Sequence, residues 1–408
     1  MNVQPAPRAI VVGAGPVGCL SAMALAKLGW HVTVYERRSD LRATSLQLLH
    51  SNTKSHPRQR SINLTLSSRG IAAVQAVDSS ILDRLMSHAV PLQGRMVHCS
   101  DGTVARQQYD RAGHCLYSIE RGLLNLLLLE AACFEFEEHF DLCIGADGSH
   151  SVIRRDLMQA TQMEYSQHYL SHDYVEIRLP HGMDRSGNHT FLLDPDHLHV
   201  WPRGDFTMIF LPWFKSYFPD LCSLFDEKRL VQDFQNNPRS DAAHSMVPFY
   251  GQGLNCALED VRVLSILLQR EKDGHNPTVI TRVLDEYSRT RHADLIAICD
   301  LAMESHLKLR HDVATWTYMI KAFIDNILYA ISKTGSLVDL SQTISGPEVP
   351  SGWIPLYSMV SFRPDISYSA AKKKAEHQER LIDSIGLGLG ALSIGYAAWF
   401  LFSFVNNA

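Results

Sequence analysis

The sequence predicts an α/β fold: a Rossmann-like nucleotide-binding domain, a second domain built on an antiparallel β-sheet, a helical C-terminal part and an apolar tail. Three observations predict it. The first is a β-α-β unit at the N-terminus, AIVVGAGPVGCLSAMALAKLGWHVTVYER, which runs from Ala9 to Arg37. The second is a mid-chain stretch, His197 to Trp213, where apolar and polar residues alternate around Arg203-Gly204-Asp205. The third is the run from Ile385 to Val405, which carries no charged residue.

In the first unit Ile10, Val11 and Val12 form a short apolar run of the kind a buried parallel strand needs. Gly13-Ala14-Gly15-Pro16-Val17-Gly18 follows directly, a helix is expected over Leu20 to Leu28, and a second strand carrying Val32 and Val34 ends at Glu36. Gly13 permits the tight turn, Gly15 admits a pyrophosphate to the backbone, and Gly18 lets helix and strand pack closely. The first N–H groups of the helix face the phosphates, and Glu36 stands where a ribose presents its hydroxyls. This pattern specifies a dinucleotide; by itself it does not choose between FAD and NAD(P).

Composition narrows the class. The 408 residues are 46% hydrophobic and 20% charged, which suits two globular domains with a tail. A formal net charge of -5 gives no reason to expect nucleic-acid binding. The 8 cysteines are scattered without a C-x-x-C pair, so reduced, packed thiols facing the cytosol are expected rather than disulfides. No secretory signal is expected, because the chain enters its first strand within about ten residues.

Along the chain, Glu36 to about Arg60 reads as an unusually long polar loop. Ser61 to Val77 reads as a strand running into a helix, and Gly94 to Tyr109 as a hairpin turning at Asp101-Gly102, with Arg95 and Tyr109 in its two arms. Ser118 to Ala132 reads as an apolar helix, too short to span a bilayer. Asp141 to Leu157 is a strand, the turn Ala146-Asp147-Gly148, and a second helix start. His197 and His199 share one face of a strand, but no further ligand stands at suitable spacing, so no metal is expected. Gly251-Gln252-Gly253-Leu254-Asn255 opens another helix, and helical periodicity continues to about Arg310. The tail's twenty-one residues, at about 1.5 Å each, match the thickness of a bilayer core. Behind the basic Lys372-Lys373-Lys374 it reads as a membrane anchor with the body on the cytosolic side; the alternative is a buried apolar hairpin using Gly386, Gly388 and Gly390.

The N-terminal turn, the Asp147-Gly148 segment and DAAHSMVPFYGQGLN (Asp241 to Asn255) form an ordered trio. Together they resemble the FAD-dependent aromatic hydroxylases of the para-hydroxybenzoate hydroxylase type. The resemblance implies one FAD and a transiently bound NAD(P)H without a nucleotide domain of its own; no second G-x-G-x-x-G occurs. It divides the chain into a discontinuous FAD domain (1–90, 118–164, 236–275), a substrate sheet domain (91–117, 165–235), a helical region (276–380) and the transmembrane tail (385–405). Flavin contacts are implied at Gly13, Gly15, Val17, Gly18, Tyr35, Glu36, Arg37, Arg121, Asp147, Asp241, Pro248, Gly251, Gly253, Leu254 and Asn255. The glycine-rich helix start would stabilise negative charge on the reduced flavin.

Several segments, among them RSINLTLSSRG, VPFYGQGLNC and IPLYSMVSF, resemble the kynurenine-hydroxylating branch of that family. That likeness implies hydroxylation of L-kynurenine with NADPH and O2, at the mitochondrial outer membrane. It implies substrate contacts at Arg95, Tyr109 and Tyr357, and no catalytic side chain, since the flavin does the oxygen chemistry. An arginine suits the substrate's carboxylate because its planar fork grips two oxygens. A position where the family places asparagine reads Ser305 here. Two stretches depart further. CFEFEEHF runs straight into Asp141 where the family has a pair of strands, and NNPRS precedes Asp241 where it has a strand ending in Gly-Asp. A buried parallel strand cannot be written NNPRS, so a shortened form with weakened FAD affinity is expected. Two other readings stand beside this one: a flavin hydroxylase for another arylamine or phenol, and a membrane-tethered relative with little activity.

Overall fold

The computed structural model describes residues 6–38, 63–99, 102–131, 140–148, 151–162, 196–202, 207–210, 250–271, 276–311, 315–332 and 349–382, with a few isolated positions besides. Asp241, Pro248, the turn at 203–206, the polar stretch 39–62, residues 211–249, and the tail 385–405 lie outside the described residues.

The N-terminal unit forms as its pattern requires. β1 (Arg8–Val12) alternates buried and less buried positions, α1 (Pro16–Lys27) follows, and β2 (His31–Tyr35) returns parallel to β1. α1 starts four residues earlier than its apolar run indicates. Pro16 is the reason, since its fixed φ suits the first helical position, where the missing N–H costs nothing.

β3 (Asn63–Leu66) leads into α2 (Ser68–Val77) and α3 (Ser79–Met86), the latter capped by the Asp78 carboxylate on Ser80 N–H. β4 (Val90–Leu92), β5 (Gly94–His98), β6 (Val104–Gln108) and β7 (Leu116–Glu120) come next, then α4 (Arg121–Ala131). The helix expected from Ser118 therefore begins only at Arg121. Ser118 is buried in β7 because that strand pairs with β3 on one side and β4 on the other, which fixes it as a central strand. β8 (Leu142–Gly145) and α5 (Val152–Ala160) follow, then β9 (His197–Pro202) and β10 (Thr207–Phe210). The helical part comprises α6 (Gly253–Arg270), α7 (Pro277–His311), α8 (Trp316–Ile331), α9 (Leu356–Phe362) and α10 (368–382).

Three sheets result, ordered β2-β1-β8, β10-β9-β5-β6 and β3-β7-β4. The first is parallel throughout. The second departs from the expected antiparallel sheet: β5 and β9 run parallel, with Gly94 opposite His197 and Val97 opposite Val200. Only neighbours joined by a tight turn must run antiparallel, and a whole α/β segment separates these two in sequence. The hairpin β5–β6 and the pair β9–β10 are antiparallel as read.

One core joins α1, α2, α4 and α6 through Leu20, Val74, Leu128 and Leu258. A second places Leu25, Trp30 and Leu142 against Val263 and Leu267 of α6. Beneath α6 lies an ionic knot that charge pattern alone does not reveal. Glu259, 3% exposed, accepts from Arg69 at 2.9 Å and Arg291 at 3.1 Å, with Arg262 at 3.6 Å. Arg69 also donates to the carbonyls of Met359, Val360, Arg363 and Ile366 and lies over the Tyr368 ring. These bonds clamp α9 and the start of α10 to α2 and α6.

Among the described residues, no helix is long and apolar enough to cross a membrane.

Candidate active site

At the end of β1 the chain turns through Gly13 with φ +106°, and a Cβ there would sit 2.4 Å from the Ala146 carbonyl oxygen. A Cβ at Gly18 would fall 1.9 Å from the Gly13 carbonyl oxygen. The first glycine turn and the Ala146–Gly148 turn thus pack backbone on backbone, joined by Ala146 N–H donating to Val12 O at 2.7 Å. Gly15 is different: a Cβ there meets nothing within 4 Å. Its face is open space at the positive end of α1, whose first-turn N–H groups have no acceptor within the helix.

Glu36 closes one side of that space. Its carboxylate accepts from Ala14 N–H at 2.8 Å and from Arg38, backbone and Nε, at 2.9 Å each. Burial alone would push its pKa up, but these donors prevail and hold it at about 2. Tyr35 and Arg37 flank it at the exposed end of β2. Asp147 is engaged locally: its carboxylate accepts from Ser151 Oγ at 2.6 Å and from Val152 N–H at 2.7 Å, capping α5. Arg121 stands at the start of α4, one residue beyond the Asn63–Glu120 pair.

The start of α6 is fastened to β3. Gly251, φ +67°, lies so close that a Cβ would be 2.6 Å from Thr65 Oγ1, which donates to the Gly251 carbonyl at 3.2 Å. The Asn255 side chain accepts from Ser67 N–H and donates to Thr65 O and Gly251 O, each at 2.8 Å. That leaves Asn255 its backbone N–H, with those of Gly253 and Leu254, to offer a ligand. Leu254 and Val17 border the same core as Ala14, so the glycine turn and the α6 start share one wall.

Tyr250, just ahead of Gly251, carries the site into the second sheet. Its ring centroid lies 5.7 Å from that of Tyr357, and Tyr357 stacks on Tyr109 at 5.0 Å. The two phenols hydrogen-bond to each other, and burial raises both pKa values, that of Tyr357 to about 12. Arg95 completes the group. It faces Gln107 across the hairpin and donates to Gln107 Oε1 at 2.7 Å and to Tyr318 OH at 2.6 Å. Neither partner is a carboxylate, and among the described residues no ion pair neutralises this guanidinium.

The three residues singled out for the substrate therefore come together, and Gln107, Tyr250 and Tyr318 join them unforeseen. Tyr318 lies on α8, 223 residues from Arg95, where no spacing rule reaches. Ser305 lies partly buried on α7. His197 accepts from Arg106 Nε at 2.8 Å, and His199 bonds to His98 and to the Asp194 carbonyl. Both imidazoles serve the second sheet. An open glycine face, a helix start and an anchored carboxylate fit the pyrophosphate and ribose of a dinucleotide.

Comparison with known proteins agrees with this geometry. Residues 8–125 match a family described as FAD dependent oxidoreductase, and residues 239–302 one described as FAD binding domain. Kynurenine 3-monooxygenase of Cryptococcus neoformans is 32% identical over 504 aligned positions, covering 98% of each chain. That of Candida albicans is 35% identical, covering 93% of each chain. That of Anopheles gambiae is 30% identical, covering 97% of this chain and 89% of its own. An alignment of 504 positions exceeds the 408 residues of this chain by 96, so at least that many positions have no counterpart here. Among solved structures, a 2-methyl-3-hydroxypyridine-5-carboxylic acid oxygenase shares the fold at 15% identity, TM-score 0.52, over 78% of this chain and 96% of its own.

Proposed function

Because the chain belongs to the kynurenine 3-monooxygenase family of FAD-dependent hydroxylases, we propose that Arg95, Tyr109 and Tyr357 seat the carboxylate of L-kynurenine beside an FAD held by the Gly13–Gly18 turn and the α6 start. The reaction is hydroxylation of L-kynurenine to 3-hydroxykynurenine with NADPH and O2. When bound, FAD takes electrons from NADPH and activates oxygen. The observation that carries the seat is the Arg95 guanidinium, held in place by Gln107 and Tyr318 and left without a carboxylate among the described residues.

The chain's own residues have three tasks. Arg95 binds the anionic end of the substrate; a charge-assisted bond in a partly buried setting contributes about 1.5–3 kcal/mol. Tyr109, Tyr357 and Tyr250 wall the space, exclude water and orient the ring. Burial keeps these phenols neutral, so they remain hydrogen-bond donors across the working pH range. No side chain need remove a proton from the aniline ring, which is already electron-rich.

For the cofactor, Gly15 and the first turn of α1 would take the pyrophosphate, Glu36 the ribose, and the Gly253–Asn255 N–H groups the pyrimidine edge of the flavin. Tyr35, Arg37, Arg121, Asp147, Asp241 and Pro248 complete the set by resemblance. The absent positions would fall between Ala132 and Asp141 and ahead of Asp241, and their loss would weaken FAD retention. The run 385–405 would anchor the chain in the mitochondrial outer membrane, the body facing the cytosol; its length and lack of charge support this.

The test is NADPH oxidation by the full chain with added FAD. L-kynurenine should accelerate it and appear as 3-hydroxykynurenine. Acceleration by another arylamine or phenol, with none by kynurenine, would favour a related hydroxylase instead.

A further inference from the structure

α8 presents an apolar face outward. Trp316, Ile320, Phe323, Ile327 and Ile331 recur at spacings of four, three, four and four, so they form one stripe. Their exposures are 79%, 56%, 65%, 41% and 74%. The face turned to the body is mixed: Tyr318 and Tyr329 pack against apolar clusters, with polar bonds between them. Tyr318 accepts from Arg95, Asp325 accepts from Trp353 Nε1 at 2.9 Å, and Asn326 O accepts from Arg111 at 2.8 Å. A helix lying on a protein in water ordinarily shows polar residues where this stripe stands.

We infer that the outer face of α8 lies in the headgroup–acyl boundary of a phospholipid bilayer. The stripe runs for about 24 Å, has no charged residue, and begins with a tryptophan, the side chain that favours that boundary. Its position argues for lipid over a protein partner. Lys321 on α8 pairs with Glu379 near the end of α10 at 3.2 Å, and the uncharged run of the chain begins at residue 385. The stripe thus sits beside the last described turns of α10, a few residues ahead of that run in sequence. A helix in this setting buries its apolar face about 5–10 Å deep, parallel to the membrane plane. The inference uses the proposed membrane tail for proximity alone.

Emission of the full chain in phosphatidylcholine vesicles tests it, with and without lipid brominated near the headgroup. The Trp316 contribution is the difference between the wild-type chain and Trp316→Phe. That difference should shift to the blue on vesicle binding and be quenched by brominated lipid. In a Phe323→Glu/Ile327→Glu double variant both effects should be lost. A difference signal untouched by vesicles overturns the inference. So does one that is blue-shifted yet unquenched, since the tail or another protein would then cover the face. Trp399, read the same way with Trp399→Phe and deep-brominated lipid, reports the tail separately. Failure of the tail reading leaves Trp316 quenching intact, and failure of this one leaves Trp399 quenching intact.

Discussion

Arg95 donates to the phenol oxygen of Tyr318 at 2.6 Å, joining the second sheet to α8 at the point proposed for the substrate's carboxylate. The bond orients the guanidinium without neutralising it. Tyr318→Phe removes the acceptor and keeps the ring. The guanidinium then loses its aim, and KM for L-kynurenine should rise about three- to tenfold with kcat nearly unchanged. Steady-state kinetics at saturating NADPH check this.

The glycines of the first turn should separate folding from cofactor binding. Gly18→Ala drives a methyl group into the Gly13 carbonyl, and Gly13→Ala drives one into that of Ala146. Both should give insoluble or strongly destabilised protein. Gly15→Ala meets no protein atom within 4 Å and should fold with an unchanged melting temperature for the flavin-free protein while losing flavin. Flavin absorbance and thermal melts on the same samples distinguish the two outcomes.

Glu36 links stability to acid. Its folded pKa of about 2 lies below its ordinary value of 4.5. Its contribution is therefore present above pH 4.5 and lost as pH falls toward 2. Glu36→Gln should reduce the difference in melting temperature between pH 5 and pH 3, and weaken FAD binding at neutral pH. The side chain is about a quarter exposed, so the effect on stability is modest while that on FAD is not.

The knot under α6 is the most sensitive point for stability. Glu259→Ala leaves Arg69, Arg262 and Arg291 buried beside one another with the central anion gone. A loss of about 3–5 kcal/mol is expected from chemical denaturation. Glu259→Gln keeps the shape and should not restore it.

The sheet β2-β1-β8 has one strand on either side of β1 among the described residues. The aligned Cryptococcus neoformans relative has at least 96 positions that this chain lacks. Purified protein should therefore hold less than one FAD per chain, and activity should rise with added FAD. Stoichiometric flavin after extensive dialysis would contradict the proposed weakening.

Local patterns gave away what is local. The β1-α1-β2 unit, the β5–β6 hairpin that puts Arg95 opposite Gln107, and the Ala146–Gly148 turn were all legible, because each carries its own local signal: glycines at the turns, alternation in the strands and the Asp147 cap on α5. The β3-β7-β4 sheet was not. Its strands are three to five residues long, and Ser118 reads equally well as the first turn of α4. Strand direction was hidden too, since alternation is the same for parallel and antiparallel neighbours, and β5 met β9 parallel. Glu259, Arg69 and Arg291 resemble ordinary helix-surface charges until tertiary packing buries them together. Tyr318 and Tyr250 entered the site the same way, through α8 and the α6 start folding over the second sheet.

The seat for the carboxylate is tested most directly by a double-mutant cycle. L-kynurenine and its decarboxylated analogue are compared on the wild-type chain and on Arg95→Met, both loaded with FAD. On the wild-type chain the analogue should lose about tenfold to a hundredfold in kcat/KM. On Arg95→Met the two compounds should be nearly equal, because the same interaction is removed from either side. If the analogue's loss is as large on Arg95→Met as on the wild-type chain, Arg95 does not hold the carboxylate and the proposed substrate site is wrong.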